Sequence, residues 1–325
     1  MDVLVTHPLP FAESLLKRAG LNIKTQRQKQ PLTKQQLLKQ VRGVRALLPL
    51  LFDRIDSSVM DAAGANLKII ANFAVGYDNV DLHEAKNRGI IVTNTPCQEV
   101  SDAVAQHTVA LMLGLLRRIV EADSFMRSGK FKGWNPDLLI GAHPSGKTLG
   151  LVGLGRIGKR VAQYAAQSFG MPVLYHDVIR DKEFEKKYRA VYAPLEKVLQ
   201  KSDIISLHVP LLPSTRHLIS AKTLRFMKKD ALLINTARGG VVDQFAVVSA
   251  LQKKKLGGFA LDVYECEPAV MCAASDTKAL CALPNVIMTP HIASATVQAR
   301  NAMMRVAAEN IIAVLSGKKA VTPVK

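Results

Sequence analysis

A glycine-rich turn between an apolar run and a helical pattern constrains the fold more than any other feature. Residues 149–158 read L-G-L-V-G-L-G-R-I-G, so a G-x-G-x-x-G pattern begins at Gly153. Gly153 permits a tight turn, Gly155 lets a pyrophosphate approach the backbone, and Gly158 lets the following helix pack on the strand. Asp177 ends the next apolar run, about 20 residues on, where an acid binds ribose hydroxyls and repels a 2′-phosphate. The pattern predicts a βαβ unit that binds NAD in preference to NADP.

Strand and helix patterns alternate along the chain, whose 325 residues are typical of two domains. One series has strands at 2–5, 45–48, 67–70 and 90–93, with helices at 9–19, 33–41, 56–63 and 82–87. A second series has strands at 148–153, 172–176, 203–207, 231–235, 257–261 and 286–288, with helices at 156–168, 194–200, 221–226 and 243–253. Long helices are predicted at 101–127 and 296–316. The alternation predicts an α/β fold of two Rossmann-like or flavodoxin-like domains with parallel sheets and an active-site cleft between them.

The chain is strongly basic, with 44 Lys and Arg against 26 Asp and Glu, a formal net charge of +18. No acidic residue lies between Ser14 and Phe52, a segment that carries Lys17, Arg18, Lys24, Arg27, Lys29, Lys34, Lys39, Arg42 and Arg45. A nucleic-acid surface and a solvated basic face are both compatible with this charge. The segment has no Tyr or Trp on which bases could stack, which favours the solvated face and argues against a nucleic-acid partner.

Membrane spans, metal sites and disulfide frameworks are not predicted. No apolar run reaches the ~18 residues of a membrane helix, and the N-terminus lacks the pattern of a signal peptide. The four cysteines, Cys97, Cys266, Cys272 and Cys281, form no C-x-x-C pair. The expectation is therefore a cytoplasmic protein with reduced cysteines and no metal.

Residues 141–148 match the phosphate-loop pattern G-x-x-x-x-G-K-T of nucleoside triphosphatases. That loop must lead directly into a helix whose N-terminus meets the phosphates. Here Thr148 instead opens the apolar run that precedes the glycine-rich turn. The match is therefore interpreted as accidental.

Three polar groups follow three predicted strands in the C-terminal half. They are the T-A-R-G run around Arg238, the D-V-Y-E-C-E-P run around Glu267, and the T-P-H-I-A-S-A run around His291. In open α/β sheets, ligands bind beyond the carboxyl ends of the strands. One Arg, one Glu and one His at such an edge predict an acid/base site.

These motifs, with A-V-G-Y-D-N-V-D at 74–81 and V-T-N-T-P at 92–96, resemble the D-isomer-specific 2-hydroxyacid dehydrogenase family, in its glyoxylate and hydroxypyruvate reductase branch. The resemblance covers essentially the whole chain. It implies NADH-dependent reduction of a small anionic 2-keto acid. It also implies a substrate-binding domain of residues 1–98 and 293–325, an NAD-binding domain of residues 99–292, and a homodimer.

The resemblance also implies roles for individual residues. His291 would be the general acid, Glu267 its carboxylate partner, and Arg238 the clamp on the substrate carboxylate. The other implied substrate contacts are Leu51, Val75, Gly76 and Trp134. The implied cofactor contacts are Gly153, Gly155, Arg156, Ile157, Gly158, Asp177, His208, Val209, Pro210, Thr215, Thr236, Ala237, Arg238, Asp262, His291 and Ser294. Arg180 and Lys182 could soften the discrimination against NADP. The remaining histidines, among them His107, are interpreted as structural or surface residues.

Alternatives stay open within the same scaffold. The segment 127–134 resembles the arm of phosphite dehydrogenase, but Val75 stands where those enzymes carry Lys. Formate dehydrogenases of this fold carry Gln in place of Glu267. A 3-phosphoglycerate-type dehydrogenase is a further alternative. A dinucleotide-sensing, corepressor-like binding protein also stays open, because such proteins can keep the triad. Ala293 departs from the glycine that is usual in the family motif.

Overall fold

The computed structural model describes residues 1–27, 30–267 and 277–324. Lys29, Pro268 and Cys272, used in the sequence argument, lie outside these residues. The chain divides into two compact units, one of Met1–Val100 with Ala295–Lys325 and the other of Ser101–Ser294. Each unit is built on its own parallel sheet.

The first unit contains a five-stranded sheet in the order β2-β1-β3-β4-β5. Its strands are β1 (Val3–Val5), β2 (Ile23–Thr25), β3 (Ala46–Leu48), β4 (Ile69–Ala71) and β5 (Ile91–Thr93). All four pairings are parallel, with Leu4 beside Leu47 at the centre. The central strands are buried on both faces, as a doubly wound sheet requires. The strand order is that of a flavodoxin-like sheet.

Short capped helices connect these strands. They are α1 (Pro10–Arg18), α2 (Lys34–Gln40), α3 (Ser57–Ala63) and α4 (Leu82–Asn87). Thr33 caps α2 in a reciprocal capping box, and the carboxylates of Asp56 and Asp81 accept backbone N–H groups at the starts of α3 and α4. The C-terminal helix α13 (Val297–Leu315) belongs to this unit and packs against α1.

The second unit contains a seven-stranded parallel sheet in the order β12-β11-β10-β9-β6-β7-β8. Its strands are β6 (Leu149–Val152), β7 (Val173–His176), β8 (Val191–Tyr192), β9 (Ile204–Leu207), β10 (Leu232–Asn235), β11 (Gly258–Leu261) and β12 (Val286–Met288). The strand order reverses at β6, the topological switch point where dinucleotides bind in Rossmann sheets. Apolar clusters cover both faces of this sheet. The predicted α/β class with two parallel sheets is confirmed.

The helices of this unit are α6 (Ile119–Arg127), α7 (Arg156–Phe169), α8 (Lys182–Tyr188), α9 (Leu195–Lys201), α10 (Ala221–Leu224), α11 (Gln244–Gln252) and α12 (Thr277–Cys281). Helix α5 (Gln98–Leu116) begins in the first unit and continues into the second. A 3-10 turn covers Gly239–Val241. Helix α7 runs from the glycine-rich turn to Gly170, which caps it in the left-handed conformation.

Several local predictions were wrong. The predicted helix over 101–127 is two helices bent by 62°, because Arg118 adopts a left-handed conformation between α5 and α6. The guanidinium of Arg118 donates to both carboxylate oxygens of Glu121, which stabilises this corner. The short elements β2, α8, β8 and α12 were not predicted. Strand β2 is only half-buried, and Phe184 is the buried residue of α8, so neither carries a strong apolar pattern.

Among the described residues, no single helix is long and apolar enough to span a membrane. The bent pair α5 and α6 has the length and apolar composition of such a helix only when the two are taken together.

Candidate active site

The carboxyl ends of β10, β11 and β12 bring the three C-terminal motifs to one edge of the second sheet. These strands are neighbours, with Asn235 beside Leu261 and Leu261 beside Met288. The T-A-R-G, D-V-Y-E and T-P-H-I segments start where they end. The predicted juxtaposition of these motifs therefore exists, and it is produced by the parallel register.

His291 and Glu267 form a hydrogen-bonded pair at this edge. Nδ1 of His291 lies 2.5 Å from one oxygen of Glu267, and the backbone N–H of Tyr264 donates to the other oxygen at 2.7 Å. Both carboxylate oxygens are therefore engaged, and the side chains are about three-quarters buried or more. With Nδ1 facing the carboxylate, Nε2 is the ring nitrogen left to face a ligand.

The backbone at His291 is held in an unusual conformation by Asp262. The φ of His291 is +55°, a left-handed value that is costly for a residue with a side chain. The buried carboxylate of Asp262 accepts the N–H groups of Ile292 and Ala293, both at 2.8 Å. It also accepts the hydroxyl of Thr289 at 2.6 Å. These bonds fix the turn on both sides of His291.

His107 extends this network and was not predicted to belong to it. Its Nε2 lies 3.0 Å from the Thr289 hydroxyl. Because that hydroxyl gives its proton to Asp262, Nε2 of His107 must be the donor in this bond. The T-P-H-I motif, which contains Thr289, was the only sequence signal for this network. No motif includes His107, which lies 182 positions from Thr289.

Arg238 is brought to the same edge by a close backbone contact. A Cβ added to the next residue, Gly239, would lie 1.9 Å from the carbonyl carbon of Tyr264, so only glycine fits there. The Asn235 amide donates to the Arg238 carbonyl at 2.9 Å, and its oxygen accepts the N–H of Ala237 at 3.1 Å. The guanidinium Nη1 donates to the Ala237 carbonyl at 2.8 Å.

The glycine-rich turn has the geometry that a bound dinucleotide needs. Gly153 has a φ of +99°, and a Cβ on Gly158 would lie 2.2 Å from the Gly153 carbonyl oxygen. By contrast, a Cβ on Gly155 would meet no heavy atom within 4 Å in the described part of the chain, which leaves the approach to the backbone open. The first N–H groups of α7, from Arg156 and Ile157, lack carbonyl partners within the helix. The turn therefore fits the pyrophosphate of NAD.

Asp177 stands at the end of β7, directly beside this turn. One carboxylate oxygen accepts the N–H of Leu154 at 2.6 Å, and the other accepts the N–H of Ile179 at 3.3 Å. A carboxylate has about four lone-pair sites, so acceptors remain for ribose hydroxyls. Asp177 thus links the glycine turn to the loop that follows β7.

His208 lies beneath the glycine turn as a neutral side chain. Burial lowers its pKa to about 3. Its Nε2 lies 2.9 Å from the Ser206 hydroxyl, whereas Nδ1 is buried with no hydrogen-bond partner among the described residues. The backbone carbonyl oxygen of His208 would lie 2.5 Å from a Cβ added to Gly153. His208 therefore packs against the turn without adding positive charge to it.

The other predicted cofactor contacts are distributed around the same edge. Thr215 donates to the Pro210 carbonyl at 2.6 Å and closes the loop after Val209. The hydroxyls of Thr236 and Thr108 lie 2.9 Å apart, with Ala237 following. Ser294 follows the Asp262-bound turn and is half-buried.

The first unit carries its own predicted site residues on two adjacent loops. The carbonyls of Val75 and Gly76 accept hydrogen bonds from Asn94 at 2.7 Å and Asn72 at 2.9 Å. In the hydrogen bonds of the described ranges, neither N–H of this pair serves as a donor. Their N–H groups are therefore available to an anion.

A pair of asparagines joins this loop to the loop of Leu51, a link that was not predicted. Asn72 and Asn79 exchange two amide hydrogen bonds, each of 3.0 Å. Asn79 also donates to the carbonyls of Leu50 and Asp53, at 3.2 and 3.0 Å. The two amides fix the relative position of the loops.

Trp134 is the most exposed of the predicted contacts, with 86% of its surface accessible. It lies in the segment after α6 that contains no helix or strand. The described residues of its own unit therefore leave the ring almost uncovered.

One cysteine departs from expectation. Cys266 is disulfide-bonded, whereas Cys97 and Cys281 are thiols. The prediction of reduced cysteines is therefore wrong at Cys266, because pairing depends on the distance between two cysteines in the folded protein and not on C-x-x-C spacing.

Known proteins are similar to this chain in both sequence and fold. Residues 109–293 match the model of the D-isomer specific 2-hydroxyacid dehydrogenase NAD binding domain. The glyoxylate reductase of Thermofilum pendens is 49% identical over 290 residues, covering 89% of this chain and 83% of the relative. A crystal structure of a protein from Thermus thermophilus is 44% identical and superposes with a TM-score of 0.91 over 100% of both chains. An NADPH-dependent glyoxylate/hydroxypyruvate reductase from Sinorhizobium meliloti is 33% identical, with a TM-score of 0.82 over 99% of this chain and 97% of that one.

A Rossmann sheet with this glycine turn and acid defines the class of NAD-binding proteins. The matched model and the identity over most of the chain narrow the class further. The chain belongs to the D-isomer-specific 2-hydroxyacid dehydrogenase family.

Proposed function

We propose that this protein reduces glyoxylate and hydroxypyruvate with NADH to D-2-hydroxy acids. The observation that carries the proposal is the His291–Glu267 pair, held at the sheet edge of an NAD-binding unit. The names of the Thermofilum and Sinorhizobium relatives support the choice of substrate.

Bound NADH supplies the hydride, and the chain's own residues manage the proton and the charges. His291 donates the proton on Nε2 to the carbonyl oxygen of the keto acid. Glu267 accepts from Nδ1, which orients the ring and stabilises its cationic form. Arg238 binds the substrate carboxylate with its planar guanidinium fork.

The remaining predicted residues bind the rest of the substrate and the cofactor. The N–H groups of Val75 and Gly76 bind the carboxylate, and Leu51 and Trp134 provide apolar walls. Asp262 and the predicted residues of the glycine turn and its neighbouring loops bind NADH. We assign residues 1–98 and 293–325 to the substrate-binding domain and residues 99–292 to the NAD-binding domain; the division into compact units supports this assignment.

Steady-state assays with glyoxylate, hydroxypyruvate and pyruvate, each with NADH and NADPH, test the proposal. His291→Ala should lower kcat by about 100-fold or more, the range expected for loss of a general acid. Its NADH affinity, measured by calorimetry, should stay that of the parent protein. His143→Ala, an exposed histidine of the same unit, serves as the control and should leave kcat unchanged. An active His291→Ala enzyme, or a parent that binds NADH without turnover of any keto acid, would refute the proposal.

We also propose a homodimer formed through α6 and the arm that follows it. Helix α6 buries none of its residues, although Ile119 and Met126 are apolar and more than half exposed. A cavity of 520 Å³ opens beside the start of α6; its apolar lining includes Leu116, Val120, Ile140, Pro284 and Ile287. An isologous contact would cover these surfaces and the ring of Trp134.

Light scattering at micromolar concentration measures the mass of the particle. Trp134→Ala should raise KM for the keto acid with little change in NADH affinity. A fully active monomer would contradict the dimer.

We place the protein in the cytoplasm, where NADH is available to a reductase. The thiols of Cys97 and Cys281 support this location, and the disulfide at Cys266 is the feature that opposes it. Cell fractionation followed by detection of the protein decides between the cytoplasm and an exported location.

A further inference from the structure

The loop after Asp177 carries an arginine that is held by a carboxylate. Nε and Nη2 of Arg180 donate to the two oxygens of Glu185, both at 2.8 Å. This is the bidentate arrangement that makes Arg–carboxylate pairs strong and directional. The Arg180 side chain is 54% exposed, whereas Glu185 is only 15% exposed. The Arg180 guanidinium therefore lies at the protein surface in the loop after Asp177, while the Glu185 carboxylate that pairs with it is largely buried.

Glu185 is fixed by further contacts and remains charged. The buried Tyr175 donates its hydroxyl to Glu185 at 2.7 Å and accepts the N–H of Asp181 at 2.8 Å. Burial raises the pKa of Tyr175 to about 12, so this hydroxyl stays a donor. The guanidinium of Arg180 and the hydroxyl of Tyr175 lower the pKa of Glu185 to about 2. The ion pair between Arg180 and Glu185 therefore persists over the whole physiological pH range.

A second cation beside the loop is paired in the same way. Lys159, in the first turn of α7, lies 2.5 Å from a carboxylate oxygen of Asp181. A 2′-phosphate carries a charge of about −2 and is bound best by an arginine fork or several cations. Here Arg180 and Lys159 are each paired with a carboxylate, Arg180 with Glu185 of α8 and Lys159 with Asp181 at the start of that helix.

We propose that Glu185 is a cofactor-specificity residue that excludes NADP(H) by withholding Arg180 from the 2′-phosphate. Asp177 repels the phosphate directly, and Glu185 pairs with Arg180, whose guanidinium fork could otherwise bind the phosphate. This inference rests on the proposed role of Asp177 in binding the adenosine ribose. The preference for NADH is then set by two carboxylates rather than one.

Calorimetric titration of NADH and NADPH into substrate-free protein tests the inference. Glu185→Gln keeps the shape and the acceptor for Tyr175 but removes the charge. It should tighten NADPH binding about five-fold, since an exposed ion pair of this kind is worth up to about that factor. NADH binding should change by less than about two-fold. Glu183→Gln, on the same helix but outside the Arg180 contact, is the control for a general change of charge.

A set of combined variants identifies the cation responsible. Asp177→Ser/Glu185→Gln should bind NADPH more tightly than Asp177→Ser, and adding Arg180→Ala should abolish that gain. In the parent protein, Arg180→Ala should leave NADPH affinity unchanged, because Arg180 is already withheld. This last measurement does not depend on the folding of any Glu185 variant.

The inference would be overturned by an equal gain in NADPH affinity in Glu183→Gln, by a gain that survives Arg180→Ala, or by weaker NADPH binding in Arg180→Ala alone. Absence of any gain in a folded Glu185→Gln protein would do so as well. Keto-acid turnover by the parent is measured separately. Turnover without the NADPH shift refutes only the role of Glu185, whereas the shift without turnover refutes only the proposed reductase activity.

Discussion

Replacing the Asp262 carboxylate by an amide tests whether this side chain holds the His291 turn. One oxygen of Asp262 accepts the Thr289 hydroxyl and the Ile292 N–H, and the other accepts the Ala293 N–H. In Asp262→Asn, the amide oxygen can keep the first two bonds. Its NH₂ group then faces the buried N–H of Ala293, and two donors oppose each other.

The magnitude follows from these contacts. A hydrogen bond to a charged acceptor contributes about 1.5–3 kcal/mol, and a buried unsatisfied donor costs a similar amount. We therefore expect Asp262→Asn to lower the free energy of unfolding by about 3 kcal/mol. The left-handed backbone of His291 would relax, and displacement of a catalytic group by about 1 Å costs on the order of 100-fold in rate. We expect kcat for keto-acid reduction to fall by about 10- to 100-fold.

Urea denaturation at neutral pH measures the stability change, and steady-state kinetics at saturating NADH measures kcat. Asp243→Asn is the matched control, because Asp243 also accepts a backbone N–H, at the start of α11, where asparagine caps equally well. It should change stability by less than about 0.5 kcal/mol. If Asp262→Asn is as stable as the parent and weakens only NADH binding, Asp262 serves the cofactor alone and does not hold the turn.

Three other predictions concern separate parts of the molecule. Gly158→Ala should abolish NADH binding and destabilise the second unit, because its Cβ would lie 2.2 Å from the Gly153 carbonyl; calorimetry and thermal melting measure both effects. The depressed pKa of His208, about 3, means that the unfolded state binds the extra proton between pH 6.5 and 3, so stability falls on acidification. His208→Gln should reduce the dependence of the unfolding free energy on pH by up to about 1.4 kcal/mol per pH unit. Urea denaturation at several pH values measures this dependence, and an equal dependence in the parent and the variant would contradict the prediction. Asn79→Ala should lower the free energy of unfolding by about 1–3 kcal/mol and raise KM for the keto acid more than it lowers kcat, since it frees the loop of Leu51.

Features that depend on neighbours along the chain were predictable. The glycine turn, the acid that follows it, and the alternation of strands and helices arise from local steric requirements and apolar periodicity. They were sufficient for the α/β class and the NAD-binding sheet, and the additional motifs around Arg238, Glu267 and His291 identified the family. The kink at Arg118 was not predictable, because the apolar pattern of α5 continues into α6 and only the fold shows that α6 is not buried.

Features that depend on distant partners were decided by the tertiary structure. His107 meets Thr289 only because α5 packs beside the end of β12, and Asn79 reaches the carbonyls of Leu50 and Asp53 only because β3 and β4 are neighbours. A sequence shows which groups can donate or accept hydrogen bonds, but the partner of each group is set by how the strands are ordered. The sequence alone therefore determined the sheet, its cofactor and the chemical groups at its edge. The packing of the strands and helices determined which atoms hold those groups in place.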